Sequence, residues 1–368
     1  MALKAHSPRN NSTTQKVVVL GGYGTFGSLI ASELARVTNI VVAGRHQGTG
    51  QKFADSIGAA FSLCNARDET SLRNTIAGTQ IVINATGPFL PDDYSIPKIC
   101  MEENCHYIDL ADDRAYVRGF LKLGDFAEER RVFACTGAST APAVTFALLS
   151  ELHLLFPDIH SIKIYMSAGN KNKPGVSTFA SILSYAGTQV RVWNHNQWEN
   201  HMGWGLPEVF EFPPPVGKRF VQLCNVPDLE LFPKLFEADQ VIFKAGVELP
   251  IFNVSLSILA RLKKRFPRIN LPSMAEPLVR ISKLFKSFGS YSGGILVRVD
   301  DKNGNSKSLA FVTSQNGPYL PASPAVLLTR RLLNNDLQAR GAFPCVRFIG
   351  LNEFRNYLEP FGIKLISQ

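Results

Sequence analysis

Short apolar runs alternate with longer amphipathic stretches along the first third of the chain. The apolar runs are four or five residues long, and more than ten residues with helical spacing separate most of them. This alternation is typical of βαβ units around a parallel sheet. Runs such as VVVL and IVIN are apolar throughout, as expected for strands covered on both faces. The pattern predicts strands at residues 17–20, 40–43, 60–64, 81–84, 106–110 and 132–135.

The regular alternation stops near residue 141. A strand-like run at 162–168, a hairpin around Asn303-Gly304 and the helices between them indicate an α+β domain on a mainly antiparallel sheet. The end of the chain predicts a helix, a turn at 341–344 and a final helix from about Asn352. We therefore predict an α/β fold of two domains. A disordered tail at 1–15 precedes a Rossmann-type doubly wound parallel sheet at 16–140. A second, α+β substrate domain follows at 141–321, and C-terminal helices at 322–368 return toward the first domain.

Composition places the chain among globular proteins. Its 368 residues are 45% hydrophobic and 19% charged, which is enough for two hydrophobic cores. The six cysteines have no CxxC spacing, so we predict neither a disulfide framework nor a metal site, and a cytoplasmic location. No apolar run predicts a signal peptide or a transmembrane helix.

A glycine-rich turn follows the first predicted strand. The sequence VVVLGGYGTFGSLIASELA places a GxGxxG pattern between that strand and an amphipathic helix. Glycines at these positions permit a tight turn, close approach of a pyrophosphate and close packing of the helix on the strand. The N–H groups at the helix N-terminus then bind the pyrophosphate. We predict a dinucleotide site formed by Gly22, Tyr23, Gly24, Thr25, Phe26 and Gly27; a turn without a ligand is the alternative.

The end of the second predicted strand indicates which dinucleotide is bound. An NAD-selective domain normally carries an acid there, which binds the ribose 2′-hydroxyl. This strand reads IVVAGRHQ, and no acid follows until Asp55. Arg45 can instead bind a 2′-phosphate, with His46 beside it. We therefore predict NADP(H) as the cofactor; the alternative is that Arg45 is an ordinary solvated arginine.

Two further strands supply candidates for the rest of the site. The fourth ends in IVINATGPF, and we predict that Thr86, Gly87, Pro88 and Phe89 bind the cofactor beside the nicotinamide ribose. The fifth reads HYIDLADD, in which Tyr107 and Asp109 share one face close to the same edge. Both are candidate catalytic residues, with purely structural roles as the alternative.

An aromatic segment in the second domain leaves two interpretations open. The stretch VWNHNQWENHMGWG contains all three tryptophans together with His195 and His201. Aromatic residues at this density can line an apolar substrate pocket, and the histidines are then possible proton donors. They can equally cover a core or a subunit contact.

Four segments together resemble one family. They are VVVLGGYGTFG, VINATGPF, CMEENCHYIDLADD and GASTAPAVT. They are similar to the saccharopine dehydrogenase-like oxidoreductases, with their saccharopine dehydrogenase NADP-binding domain, over about the first 150 residues. The resemblance implies an NADP-dependent reductase or dehydrogenase that dimerises through its second domain. We expect hydride transfer to a carbonyl, imine or activated alkene of a small-molecule substrate, and the aromatic and basic segments favour an apolar one.

The positive charge of the chain is concentrated in one segment. The net charge is +9, and residues 256–288 contain eight Lys and Arg against Glu276 alone. Two stretches place apolar residues at helical spacing among these charges: Leu259, Leu262 and Phe266, then Leu278, Ile281, Phe285 and Phe288. Such helices can bind an anionic membrane surface peripherally, or pack on the domain and expose their lysines.

This charge leaves a second function class open. No nucleic-acid-binding module accompanies the basic residues, so we predict no nucleic-acid partner. The alternative to an enzyme is a non-catalytic dinucleotide-binding protein that associates with a membrane surface or a protein partner through the basic helices.

Overall fold

The computed structural model describes residues 16–172, 175–285 and 287–368, with the backbone alone at 177, 178 and 283. The predicted tail at 1–15 lies outside the described residues. The first sheet is fully parallel and has the order β15-β6-β5-β4-β1-β2-β3. Its strands are β1 (Lys16–Leu20), β2 (Asn39–Gly44), β3 (Ala60–Leu63), β4 (Ile81–Asn84), β5 (His106–Asp109), β6 (Phe133–Thr136) and β15 (Gly341–Pro344). The Rossmann-type sheet and its six predicted strands are therefore confirmed.

Six helices alternate with these strands. They are α1 (Gly27–Ala35), α2 (Gln47–Ser56), α3 (Glu69–Ile76), α4 (Ser95–Glu102), α5 (Arg114–Phe120) and α6 (Gly124–Glu129). Asp68 caps α3 by accepting from the Ser71 N–H, and Asp113 caps α5 by accepting from the Tyr116 N–H. The strand order reverses between β1 and β4, and ligands of such sheets bind at the carboxyl ends of the strands beside this switch point.

The C-terminal segment contains two strands where the sequence predicted only helices and a turn. Residues Gly341–Pro344 form β15, which extends the first sheet beside β6, and the Phe343 ring stacks on Phe133. The prediction of a turn was wrong here because Gly and Pro are also tolerated in a strand at a sheet edge. The last strand, β16 (Lys364–Ser367), pairs with the second sheet.

The second sheet has the order β10-β11-β12-β7-β13-β14-β16, with β8 and β9 forming a hairpin attached to β12. Its remaining strands are β7 (Ile159–Ala168), β8 (Gln189–Asn194), β9 (Gln197–Met202), β10 (Glu208–Phe212), β11 (Gly217–Leu223), β12 (Gln240–Val247), β13 (Gly293–Asp301) and β14 (Ser306–Thr313). The pair of β7 with β12 is parallel and the other pairs are antiparallel, which confirms the mainly antiparallel character.

The two sheets share one hydrophobic core, to which Val19 of β1 and Ile164 of β7 both belong. The helices of this half are α7 (Thr145–Leu155), α8 (Val176–Ser184), α9 (Asp228–Leu235), α10 (Pro250–Arg265), α11 (Ala275–Ser282), α12 (Tyr319–Leu333) and α13 (Leu351–Leu358). Helix α12 packs against α1 of the first domain. Among the described residues, no helix combines the length and the apolar character needed to cross a bilayer.

Candidate dinucleotide site and interdomain cleft

The turn between β1 and α1 is built from glycines that leave no room for side chains. The positive φ of the turn, +71°, falls on Gly21 and not on Gly22, where the sequence placed the tight turn. A Cβ on Gly22 would lie 2.8 Å from the Val19 carbonyl oxygen, and one on Gly27 would lie 2.2 Å from that of Gly21. Both glycines therefore let α1 pack closely on β1.

Gly24 differs from Gly22 and Gly27 in being exposed and less crowded. A Cβ added there would meet only the Gly21 carbonyl oxygen, at 3.1 Å. Helix α1 begins three residues later, and its first turn carries no acidic side chain. An open approach over backbone N–H groups, without negative charge, suits a pyrophosphate. The residues of this turn therefore fit a dinucleotide.

Tyr23 connects the glycine turn to the end of β2. Its hydroxyl accepts the His46 N–H at 2.9 Å, and its ring lies against Gly44, where a Cβ would approach to 2.4 Å. This contact holds Arg45 next to the turn. Arg45 is exposed and forms no ion pair with the residues that the structure describes. The guanidinium is therefore available to an anionic ligand at the predicted place.

The loop after β4 is held by a chain of hydrogen bonds from the core. The Tyr107 hydroxyl accepts from the Asn84 side-chain amide at 3.0 Å, and the Asn84 oxygen accepts from the Thr86 N–H at 3.0 Å and its hydroxyl at 2.5 Å. Tyr107 is fully buried. Its place in the structure favours positioning of the loop over contact with a substrate. Phe89, in the same loop, packs against the Tyr116 ring.

Asp109 is also fully buried, at the end of β5. One carboxylate oxygen accepts from the Ala111 and Gly137 N–H groups, at 3.0 and 3.1 Å, and from the Thr136 hydroxyl at 2.8 Å. Burial raises the pKa of Asp109 to about 6, against the lowering effect of these hydrogen bonds. The carboxylate ties the ends of β5 and β6 together, so a structural role explains this candidate better than direct catalysis.

A different acid faces the space between the domains. Asp112 is exposed to solvent, and desolvation by the surrounding protein raises the pKa of its carboxyl to about 6. The combination is expected for a residue in a cleft. The Ser181 hydroxyl, on α8 of the second domain, lies 3.2 Å from both carboxylate oxygens. Neither residue was predicted from the sequence.

The start of α8 lies over the glycine turn. A Cβ on Gly175 would lie 3.2 Å from the Thr25 hydroxyl oxygen. The second domain therefore reaches the first at both the glycine turn and the end of β5, and these contacts enclose the carboxyl edge of the sheet. Asp112 follows a strand at this edge, a signal that the sequence did carry. Ser181 lies 69 residues away along the chain, and no local pattern joins the two.

The tryptophan segment forms the β8–β9 hairpin and packs between elements. The Trp193 indole donates to the Ala238 carbonyl oxygen, and Trp204 is 2% exposed. Arg114 of α5 lies over the Trp198 ring and forms an ion pair with Glu230 at 2.6 Å. The segment thus contributes to the contact between domains, which favours the interpretation as core. Both histidines are exposed: His195 lies in the hairpin turn and His201 contacts Glu199.

Comparison of the sequence with known protein families finds a match in the first domain. Residues 17–146 match the family described as the saccharopine dehydrogenase NADP binding domain. This part of the chain is similar to that family. It is a dinucleotide-binding domain, as the glycine turn indicates. No curated protein sequence matches the chain.

One solved structure shows the same architecture over 96% of the chain. Saccharopine dehydrogenase (L-Glu forming) from Saccharomyces cerevisiae, an apo structure, superposes with a TM-score of 0.68 at 12% identity, covering 96% of this chain and 99% of that one. GenD2 from gentamicin A biosynthesis, in complex with NAD, gives a TM-score of 0.46 at 12% identity and 99% coverage of both chains. A dehydrogenase from Chromobacterium violaceum gives 0.44 at 12% identity, with 89% of both chains covered. The first of these shows that the two-domain fold is shared with saccharopine dehydrogenase.

Proposed function

We propose that this protein is an NADP(H)-dependent oxidoreductase that transfers hydride to or from a carbonyl, imine or activated alkene of a small molecule. The observation that carries the proposal is the pairing of Asp112 with Ser181 across the domain boundary, beside a glycine turn that fits a pyrophosphate. The family of the first domain and the fold of the whole chain support an oxidoreductase of the dehydrogenase type.

The residues that would hold the cofactor are those around the carboxyl edge of the first sheet. The turn from Gly22 to Gly27 would bind the pyrophosphate, Arg45 and His46 the 2′-phosphate, and the loop from Thr86 to Phe89 the nicotinamide ribose. When bound, the nicotinamide supplies or accepts the hydride. The protein contributes position, because Tyr23 fixes the loop of Arg45 and the Asn84–Tyr107 pair fixes the loop of Thr86.

Asp112 is the residue that we expect to handle the proton of the reaction. Reduction of a carbonyl or imine places negative charge or a lone pair on the acceptor atom, which then takes up a proton. A carboxyl group with a pKa of about 6 exchanges protons readily near neutral pH. Ser181 holds this group toward the cleft. In this proposal Tyr107 and Asp109 are positioning residues.

Calorimetric titration with NADPH and NADH tests the cofactor site. Arg45→Ala is expected to weaken NADPH binding about 10- to 100-fold, since it removes charged hydrogen bonds to a phosphate, and to leave NADH binding nearly unchanged. Lys122→Ala removes an exposed charge elsewhere and serves as the control. Equal losses for both dinucleotides would contradict the role of Arg45, and absence of binding by the wild type would contradict the cofactor itself.

Turnover distinguishes the enzyme from a non-catalytic dinucleotide-binding protein. Oxidation of NADPH with aldehydes, imines or enones is expected for the wild type, and Asp112→Asn is expected to lower kcat at least about 100-fold without weakening NADPH binding. The pH profile of the variant should lose its inflection near 6. Asp125→Asn, at an exposed acid of α6, is the control. Tight NADPH binding without turnover on any of these substrates would favour the non-catalytic alternative.

A further inference from the structure

Helix α10 divides its apolar residues between the protein and solvent. The residues that it buries fully are small or polar: Asn253, Ser257 and Ala260. Asn253 bonds to the Val247 N–H and carbonyl oxygen, and Ser257 to the Gly205 carbonyl oxygen. Helix α10 therefore docks through these hydrogen bonds together with Leu256 and Leu259, which are half-buried and pack against the core.

Those large side chains face outward instead. Ile251, Val254, Ile258 and Leu262 are between 43% and 56% exposed. At 3.6 residues per turn they fall within an arc of about 80°, whose centre is about 130° from that of the buried residues. We call these four residues the α10 stripe. The sequence placed Leu259, Leu262 and Phe266 at helical spacing and left open whether they pack on the domain or contact a membrane. In the structure Leu259 is half-buried, whereas Leu262 and Phe266 are exposed.

Positive charge lies beside the C-terminal half of the stripe: Arg261 and Arg265 fall within about 100° of Leu262, whereas Lys264 falls on the side of the buried residues and Arg268 follows the helix. Arg261, Lys264, Arg265 and Arg268 are exposed, and none of them forms an ion pair with a described residue. Lys263 is used differently, since its ammonium donates to the Pro267 and Ile269 carbonyl oxygens. The only acid between residues 256 and 288, Glu276, already pairs with Arg280 at 2.6 Å.

A second exposed apolar group lies at the other end of the helix. Leu284 and Phe288, in the segment after α11, are 77% and 61% exposed. The Phe285 ring contacts Phe252 of α10, so this segment adjoins the start of the stripe. The Asn170 side chain bonds to the Phe285 and Phe288 carbonyl oxygens and holds the segment on the domain. Lys283 and Lys286 belong to this segment, but their side chains lie outside the described residues.

We propose that the α10 stripe and its basic border bind the surface of an anionic phospholipid bilayer, with α10 lying in the plane of the interface. Monomeric proteins rarely expose contiguous apolar surface of this length, about 17 Å from Ile251 to Leu262. An in-plane helix buries its apolar face among acyl chains while Lys and Arg contact anionic headgroups. Both properties occur on the same face of α10.

The unpaired basic residues favour an anionic bilayer over a second copy of the chain as the binding partner of the α10 stripe. Dimerisation through the stripe would bring two sets of the same unpaired basic residues to one interface, and like charges disfavour association. An anionic lipid surface complements them. The proposal does not depend on the enzymatic function, because the stripe lies outside the cleft residues described above.

Vesicle flotation with the full chain tests the proposal. The wild type is expected to float with vesicles of equal parts phosphatidylcholine and phosphatidylserine, to remain below with phosphatidylcholine alone, and to be released by added salt. Ile258→Ser with Leu262→Ser is expected to abolish flotation. The matched control is Leu154→Ser with Leu155→Ser, which changes two exposed leucines at the end of α7 and is expected to float normally.

A second flotation experiment tests the positive charges. It compares the double variant Arg261→Gln with Arg265→Gln on α10 with a control double variant, Arg118→Gln with Lys122→Gln. Affinity for the anionic vesicles is expected to fall about fivefold for each charge removed from α10 and to stay unchanged in the control. Circular dichroism melting checks that every variant is folded. If the wild type does not float, or if the stripe variant floats equally well, the proposal is wrong. If light scattering shows that the stripe variant converts a dimer to a monomer, a second copy occupies the stripe and the proposal is again wrong.

Discussion

The carboxyl edge of the first sheet and helix α10 depart from the usual separation of polar and apolar residues in opposite directions. At the sheet edge, polar side chains such as Asp109, Asn84 and Thr136 are buried, and each has hydrogen-bond partners. On α10, apolar side chains such as Ile258 are exposed, while small polar ones face inward. Buried polar groups stabilise a fold only when they are satisfied, whereas exposed apolar groups cost little in the folded chain.

This difference indicates how each region is used. The hydrogen bonds at the sheet edge fix the loops around the proposed cofactor, so that region acts through its precise internal geometry. The α10 stripe contributes little to folding and is available to a partner. The following four changes test the comparison, and their expected effects on stability decrease in turn.

Asp109→Ala is expected to have the largest effect. It leaves the Ala111 and Gly137 N–H groups and the Thr136 hydroxyl without their acceptor. Because each unsatisfied buried donor costs about 1–3 kcal/mol, we expect the free energy of unfolding to fall by at least about 3 kcal/mol. Urea unfolding measures it. Asp109→Asn keeps one acceptor oxygen and should lower the free energy of unfolding less. If Asp109→Ala lowers it less than Asp125→Ala, a change at an exposed acid, the structural role of Asp109 is contradicted.

Asp228 is expected to make stability depend on pH. Burial raises its pKa from the usual 3.8 to about 7, so the folded state retains a proton that the unfolded state releases. Stability is therefore expected to fall as pH rises from about 4 to about 7, by about 3 kcal/mol for this group. Urea titrations at several pH values should show a flatter profile for Asp228→Asn. A profile identical to the wild type would refute the shifted pKa.

Asn253→Ala is expected to lower the free energy of unfolding by about 1–2 kcal/mol, because it removes the hydrogen bonds to Val247 and Leu249 that attach the start of α10 to the domain. Ser255→Ala, on the exposed side of the same helix, is the control for helix propensity. Thermal unfolding compares the two. A change at Ser255 that equals the change at Asn253 would show that α10 is not docked by its polar side.

Ile258→Ser is expected to have the smallest effect, within about 0.5 kcal/mol, because its side chain is already half exposed. The same substitution at the buried Ile164 is expected to destabilise strongly, as removal of core methyl groups costs about 2–5 kcal/mol. Urea unfolding of both variants gives the contrast. Similar losses at the two positions would mean that the stripe is part of the core.

Local patterns predicted much of the first domain because its contacts are between neighbours in the chain. Each strand of the βαβ series has an apolar run, and the glycine turn follows the first of them, so these patterns predicted the sheet and a dinucleotide site. Alternation along β5 also suggested Tyr107 and Asp109 as catalytic residues. Alternation placed both near the edge, but only packing decided that Thr136 and Gly137 would cover Asp109, which is why it serves the fold.

A Rossmann-type sheet, a glycine-rich turn and a basic segment were predictable from the sequence, since these follow from periodicity, glycine spacing and charge. Packing between distant segments places β15 beside β6, brings Ser181 to Asp112 and leaves four apolar residues of α10 exposed. The physical reason is the same in each case. A hydrophobic pattern shows that a helix or strand has two different faces, but the neighbours that pack against it decide which face is buried.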